Sequence, residues 1–352
     1  MFFKSISIKN FRGINNLQID DIKQFNIFTG KNNCGKTSIL EALFLLIGMS
    51  NPRLPFSINN FRDLILTEDD DFRFIFNNLN FKNTPLINGI LETHRRQLEI
   101  TPHIARPKKD NTIEENQLLK DPDVSLATTS TYNQIDGIIL QFQRNRDKKL
   151  SIEVSMKQDK IKLHKDYKEE LNGTYINPRS IMGELNGRFD VLLEKKNLQS
   201  IITSLKGIEK NISDIRMGKG NMIYVDIGIE KLIPINLVGD GLRRILSIVT
   251  TISDTKNDIV LIDEIENGLH YSSLSTLWKA IIRSAKDNNI QLFIATHSYE
   301  CIVAFYKMSQ EMGLTNNDIR LYRIDKTDNK HKALFYDIDT LGAGIEKSFE
   351  VR

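Results

Sequence analysis

Hydrophobic and polar positions follow three patterns along the chain. Near the start they alternate. Ile6 and Ile8 point to one side of a short strand, Phe11-Arg12-Gly13 makes a turn, and Leu17 and Ile19 lie on a second strand. Phe25-Asn26-Ile27-Phe28 is a compact apolar run that fits a buried strand; it ends at Gly30, and Lys36 onward reads as a helix through Ile47. That helix holds the longest apolar run, Ile39–Ile47, broken by Glu41. Residues 51–130 are irregular and polar, with Pro52, Pro55, Pro85, Pro102, Pro107 and Pro122, short helices and a strand at Leu98–Ile100. They read as a lid or insertion.

Alternation returns over residues 137–164 (Ile139, Gln141; Leu150, Ile152, Val154; Ile161, Leu163), which predicts antiparallel strands. Residues 181–217 read as mostly helical, with Met182, Leu185, Phe189, Leu192 and Leu193 at helical spacing. Tyr224–Gly228 and Leu232–Ile235 suggest a hairpin. From Gly241 a helix leads into the strand Ile259–Ile262, a helix spans Ser273–Lys286, and the strand Gln291–Ala295 follows. Strand and helix in alternation argue for a parallel α/β core.

Composition adds limits. A chain of 352 residues, 40% hydrophobic and 26% charged, is that of a globular protein. No apolar run reaches the roughly 20 residues of a membrane-spanning helix, so no membrane association is expected. Met1-Phe2-Phe3 opens directly into a strand pattern rather than a secretory signal. Two cysteines, Cys34 and Cys301, suggest no disulfide framework and fit a reducing compartment. The expected location is the cytoplasm. A net charge of +3 neither demands nor excludes nucleic acid. The basic patch Lys157, Lys160, Lys162, Lys165 and Lys168 reads as a solvated face, with DNA contact the alternative.

Gly30-Lys31-Asn32-Asn33-Cys34-Gly35-Lys36-Thr37, followed by Ser38, matches the pattern G-x-x-x-x-G-K-[ST] in full. Its glycines let backbone N–H groups face a β-phosphate at a helix N-terminus whose dipole favours anions. Lys36 should reach the β- and γ-phosphates of ATP, and the Thr37 hydroxyl should ligate Mg2+. Cys34 reads as a small residue at a variable position rather than a reactive thiol. Ile259-Val260-Leu261-Ile262-Asp263-Glu264 reads as an apolar strand that delivers two carboxylates to its C-terminal edge, where nucleotide sites lie in open α/β sheets. Asp263 would hold Mg2+ and Glu264 would polarise the attacking water. The next strand ends at Thr296-His297, where an imidazole could hydrogen-bond a γ-phosphate. The Gly239-Asp240-Gly241 turn, with Gly241 22 positions before Asp263, opens a helix and could be a second phosphate-facing N-terminus.

Taken in this order, the four elements resemble the ATP-binding-cassette (ABC) ATPases. The strings "LIDEIENGLHYS" and "IATHSYECI", with the opening "IKNFRGI" that contains Arg12, are similar to stand-alone AAA-type ATPases related to the overcoming-lysogenization-defect, RecF-type and structural-maintenance-of-chromosomes proteins. The resemblance covers residues 1–48 and 232–305 strongly and the middle loosely. It implies an α/β, ABC-type P-loop head with a mixed sheet, an antiparallel β subdomain and a helical insertion. It also implies one domain over 1–352: an N-lobe of 1–48 and 137–180, a lid or insertion at 49–136, a helical subdomain at 181–222, and a lobe of 223–352 with the remaining motifs. Arg12 is carried over as a nucleotide contact. Gly239, Asp240 and Gly241, aided by Arg243 or Arg244, would meet the nucleotide of the other protomer.

The chain departs from that pattern in three ways. Gly239 stands where a signature serine is expected. No Q-loop glutamine is evident, and Asn177 in Tyr175-Ile176-Asn177-Pro178-Arg179 is the substitute. Relatives with a nuclease carry a Toprim domain, and the segment after His297, 298–352, is too short for one. The run Glu68-Asp69-Asp70-Asp71 reads as a solvated loop rather than a metal cluster. The resemblance therefore implies an ATPase that pairs as a homodimer of heads, or a larger assembly, and regulates a separate effector, nuclease or toxin, in anti-phage defence. A DNA-repair or DNA-clamping ATPase is the alternative, and a transporter ATPase is disfavoured.

Overall fold

The apolar positions of the first two alternating segments do point inward: Ile6, Ile8, Leu17 and Ile19 are each at most 1% exposed. A computed structural model describes residues 1–104, 135–157, 164, 167–178, 185–194, 198–255, 258–328 and 330–347. In it the alternating segments are β1 (Phe3–Phe11) and β2 (Ile14–Ile19), followed by β3 (Phe25–Thr29), α1 (Lys36–Ile47) and α2 (Leu54–Asn60). Then come β4 (Leu86–Leu91), β5 (Arg95–Ile104), β6 (Ile135–Arg144), β7 (Leu150–Val154), β8 (Gly173–Ile176), α3 (Leu185–Glu194) and α4 (Leu198–Leu205). The remainder is β9 (Asp214–Met217), β10 (Ile223–Asp226), β11 (Ile233–Pro234), α5 (Asp240–Asp254), β12 (Ile259–Ile262), α6 (Leu274–Asp287), β13 (Gln291–Ala295), α7 (Tyr299–Glu311), β14 (Ile319–Thr327), β15 (Lys330–Tyr336) and α8 (Ile338–Glu346).

Among the described residues the strands form three sheets. The central one runs β15-β14-β3-β13-β12-β8 and is parallel apart from the β14–β15 hairpin. A second, antiparallel sheet runs β2-β1-β4-β5-β6-β7, and a small one runs β11-β10-β9. Both faces of the sheet are covered at its middle, so β12 is apolar throughout and β13 nearly so rather than alternating, while the edge strand β15 is polar. Val260 and Ile262 face the helices α5, α6 and α7, while Ile259 and Leu261 face α1 and the antiparallel sheet. Each such aliphatic side chain contributes roughly 1.5–3 kcal/mol by leaving water. Helix α1 lies between the two sheets and is buried almost all round. Two buried polar exceptions, Asn26 and Gln291, are bonded at both ends of the side-chain amide. Gln291, at the start of β13, accepts from Phe3 N–H at 2.8 Å and donates to the carbonyls of Phe3 and Lys23 at 2.9 and 2.8 Å, joining the first strand to the core.

Three expectations need correction. The segment 49–136 is not wholly a lid: β4 pairs with β1 and β5 with β4, so residues 86–104 lie in the middle of the antiparallel sheet. Pro102 did not prevent this, since β5 continues to Ile104. Helix ends at Leu205, and Asp214–Met217 is a strand paired with β10, because Ile215 is buried between outward neighbours at period two. Nor is the acidic run all solvated. Asp69 is 4% exposed and accepts from Met156 N–H at 2.6 Å, while Glu68 and Asp71 cap the short 3-10 helix Asp69–Ile75. Pro107, Pro122, Lys160, Ile161, Lys162, Leu163, Lys165, Arg179 and Met182 lie outside the described residues. No helix among the described residues is long and apolar enough to cross a membrane.

Candidate nucleotide site

The loop between β3 and α1 is shaped by two glycines. Gly30 has φ +135° and Gly35 φ +100°, and a Cβ on Gly30 would lie 2.5 Å from the carbonyl oxygen of Ile324. The loop thus packs flush on β14, and α1 begins at Lys36 with no side chain capping its first N–H groups. Those donors are left for an anion. The Lys36 ammonium folds over the loop and donates to the carbonyls of Gly30 at 2.7 Å and Lys31 at 3.0 Å. Cys34 is 4% exposed and packs inward, as a small residue should.

A cavity of about 340 Å3 opens in front of this loop. Asn32, Asn33, Gly35, Lys36, Thr37 and Ser38 line one side, and Asp263, Glu264 and His297 the other. A second cavity of about 430 Å3 flanks the loop on its β14 side, lined by Lys31 through Cys34, Arg323 and Lys326. Asp263 and Glu264 reach the first cavity because β12 ends at Ile262, at the C-terminal edge of the parallel sheet. Asp263 is 6% exposed. Burial pushes its carboxyl up to about 6, against a hydrogen bond from Thr37, while Glu264 and Glu41 push it further up. Tyr175 Oη donates to it at 3.4 Å. Glu264 is exposed into the cavity and has φ +47°, a left-handed conformation that turns its side chain away from the core. His297 is half exposed. Its Nδ1 lies 3.0 Å from Glu266 Oε1, which also accepts the N–H groups of His297 and Ser298.

A Thr37 hydroxyl beside a buried Asp263 carboxylate suits Mg2+, which takes one or two protein oxygens and completes its shell with phosphate and water. No cluster of three or more metal-ligating side chains occurs among the described residues; the pair suits a metal that arrives with a nucleotide.

Four residues of this site were given no part in it by the sequence or, for Arg244, a different part, and one expected contact is absent. Arg62, just past α2, lines the cavity, donates to Ser38 Oγ at 3.2 Å and grips Glu41 with Nε at 2.7 Å and Nη2 at 3.1 Å. Glu41 is fully buried, and Arg12 Nε lies 2.6 Å from its other face. Arg12 was expected to touch nucleotide. Instead its remaining nitrogens donate to the carbonyls of Phe74 and Ile58 and to Asn59, and it does not line the cavity. The only signal was a glutamate inside an apolar helix, which required buried cations. Glu266 and Arg244 are the other two. Arg244 cannot reach outward, being 5% exposed with its donors on the carbonyls of Glu264 and Ile265. Asn177 is buried after β8.

Gly239, Asp240 and Gly241 do not line their own chain's cavity. They form the exposed start of α5, beside Leu237, which is 74% exposed. Gly239 has φ +117° with open space around it, so its glycine is required by backbone conformation. A Cβ on Gly241 would meet Leu269 at 3.5 Å and the carbonyl oxygen of Gly268 at 3.9 Å, both ordinary contacts.

A glycine loop at a helix start, two carboxylates and a histidine on adjacent strand ends, and a parallel core with an antiparallel lobe together define a P-loop ATPase of the ABC type. The chain belongs to the family described as "AAA domain, putative AbiEii toxin, Type IV TA system", which it matches over residues 25–302. An ATP/GTP phosphatase of Helicobacter pylori is 24% identical over 339 residues, 85% of this chain and 86% of that protein. The RecF replication and repair protein of Clostridium acetobutylicum is 37% identical over 87 residues, 24% of this chain and 22% of that protein. Among solved structures, an SMC head bound to the C-winged helix domain of ScpA aligns with a TM-score of 0.51 at 11% identity, covering 97% of this chain and 100% of the other. The SMC head domain from Thermotoga maritima gives 0.51 at 11% identity over 95% and 98%. Both share the fold.

Proposed function

We propose that this ATPase closes two heads around two ATP molecules and, through that closure, controls a separate effector protein in anti-phage defence. The observation that carries the catalytic part is the convergence of Lys36, Thr37, Asp263, Glu264 and His297 on one cavity. In this reading residues 30–38 wrap the phosphates, and Lys36 leaves the carbonyls of Gly30 and Lys31 for the β- and γ-phosphates. Thr37 and Asp263 would hold Mg2+, which would supply neutralisation of the phosphate charge. Glu264 orients the attacking water and takes its proton, and His297 hydrogen-bonds the γ-phosphate, steadied by Glu266.

Pairing is supported by the exposed start of α5. The loop grips phosphates from one side, and a second helix N-terminus with free N–H groups suits the other. With Arg244 held internally and Arg243 bonded to Asp240 at 3.2 Å, backbone groups of the turn carry this contact. The effector role draws on the toxin–antitoxin description of the family. A DNA-clamping role is the second reading, favoured by the local match to RecF.

Sedimentation of Glu264→Gln with ATP tests the pairing. This variant should associate because Asp263 and Lys36 are intact while turnover falls about 10²-fold. Adding Gly241→Glu places a carboxylate toward the partner's γ-phosphate and should keep it monomeric with ATP binding unchanged. Equal association of the two variants rules out paired heads.

A further inference from the structure

Arg244 lies one turn into α5, is almost wholly buried and does not line the nucleotide cavity. A charge placed there needs partners. Its Nη2 donates to the carbonyl of Glu264 at 2.6 Å, and its Nε to the carbonyl of Ile265 at 3.4 Å. These are consecutive peptides, and they follow Asp263 directly. Glu264 is the residue in greatest need of a clamp. Its φ of +47° is a left-handed conformation that a side-chain-bearing residue holds only when its surroundings enforce it. The conformation sends the Glu264 carboxylate into the phosphate cavity while Ile265 returns to the core with no exposure. The next residue, Glu266, accepts the backbone N–H groups of His297 and Ser298. Segment 264–266 is therefore pinned by α5 on one side and bonded to the β13–α7 loop on the other.

We infer that Arg244 is a positioning residue for hydrolysis, fastening the Glu264 and Ile265 carbonyls so that the Glu264 carboxylate stays aimed into the cavity. Arg244 acts through main-chain oxygens and does not touch nucleotide. A lysine here can reach one carbonyl but not both, and a methionine neither. The clamp also ties the carboxylate to the helix that begins at Asp240, about 6 Å up the axis. A push on the Gly239-Asp240-Gly241 turn therefore moves the group that holds Glu264. This last step rests on the paired-head reading; the clamp itself does not.

The test uses the full chain with Arg244→Met and Arg244→Lys, each alone and with Glu264→Gln. Steady-state ATPase rates, ATP affinity by calorimetry and a thermal melt are measured. Arg244→Met should lower kcat by about 10- to 100-fold, the scale of a misplaced catalytic group, and leave ATP affinity within about two-fold. Arg244→Lys should recover part of the loss. In the Glu264→Gln background neither change should lower the residual rate further, because the group being positioned is already gone. If Arg244→Met does not melt cooperatively, Arg244→Lys carries the comparison. A folded Arg244→Met with wild-type kcat, no recovery with lysine, or equal fold losses in both backgrounds overturns the clamp while an inactive Glu264→Gln leaves the catalytic reading standing. Wild-type turnover by Glu264→Gln alone overturns that reading and the clamp with it.

Discussion

Glu266 Oε1 lies 3.0 Å from the Nδ1 of His297 and accepts the same residue's backbone N–H at 2.9 Å. One carboxylate thus fixes both the main chain and the ring of the residue that closes the cavity. With Nδ1 engaged, Nε2 is the ring nitrogen left to address a phosphate. Replacing Glu266 by alanine leaves two N–H groups without an acceptor and frees the ring. Turnover should fall about 10²-fold, as for His297→Ala, and the double variant should be no worse than either. Additive losses in steady-state rates would separate the two residues and refute a shared role.

Lys36→Ala should abolish ATP binding. The ammonium is the phosphate-loop cation in the cavity, and its present partners are carbonyls of the loop itself, which a phosphate can replace. Calorimetry that finds unchanged nucleotide affinity in this variant would remove the loop from the mechanism.

The raised carboxyl of Asp263 has consequences for pH. Its folded value of about 6 lies above the ordinary carboxylate value of about 3.9. The folded protein therefore holds a proton that the unfolded chain has lost, and this site loses stability as pH rises from about 4 through about 6, by roughly 3 kcal/mol in all. Asp263→Asn should remove that component and, without nucleotide, melt higher than wild type at pH 8. Its ATPase should be lost. Melting curves from pH 5 to 8 check this, and parallel curves for the two proteins would contradict it.

Glu41→Gln should be severely destabilising. It strips the anion from between Arg12 and Arg62, leaving the buried Arg12 guanidinium without its counter-ion at a cost of about 3–5 kcal/mol. Urea unfolding measures it; a midpoint equal to wild type would mean water reaches the site.

Elements with a strong local period were legible in the sequence. Lys36–Ile47, Ile259–Ile262 and Gln291–Ala295 lie where apolar runs end, at Gly48, at Asp263 and at Thr296-His297. The phosphate-loop side of the cavity was legible too, because its chemistry is contiguous. What escaped was decided by distant partners. The strand β4 follows a polar stretch and gains its place by pairing with β1 on one side and β5 on the other. Arg62 is one arginine among many until α2 brings it to Glu41, 21 residues back. Arg12 was misplaced for the same reason, since its partners at Ile58, Asn59 and Phe74 are remote in sequence.

The strand that presents the phosphate loop, β3, is the third made during synthesis, yet in the central sheet it lies between β13 and β14. Its partners Leu292 and Ile319 follow Phe25 by 267 and 294 residues (292 − 25 and 319 − 25). A nascent or truncated chain ending before residue 319 leaves β3 with an unpaired edge and the loop without the Ile324 carbonyl against which Gly30 rests. The pairing is long-range, so it forms slowly and only after release of most of the chain. A fragment that ends before residue 319 therefore carries the nucleotide-binding motif without the strand that backs it.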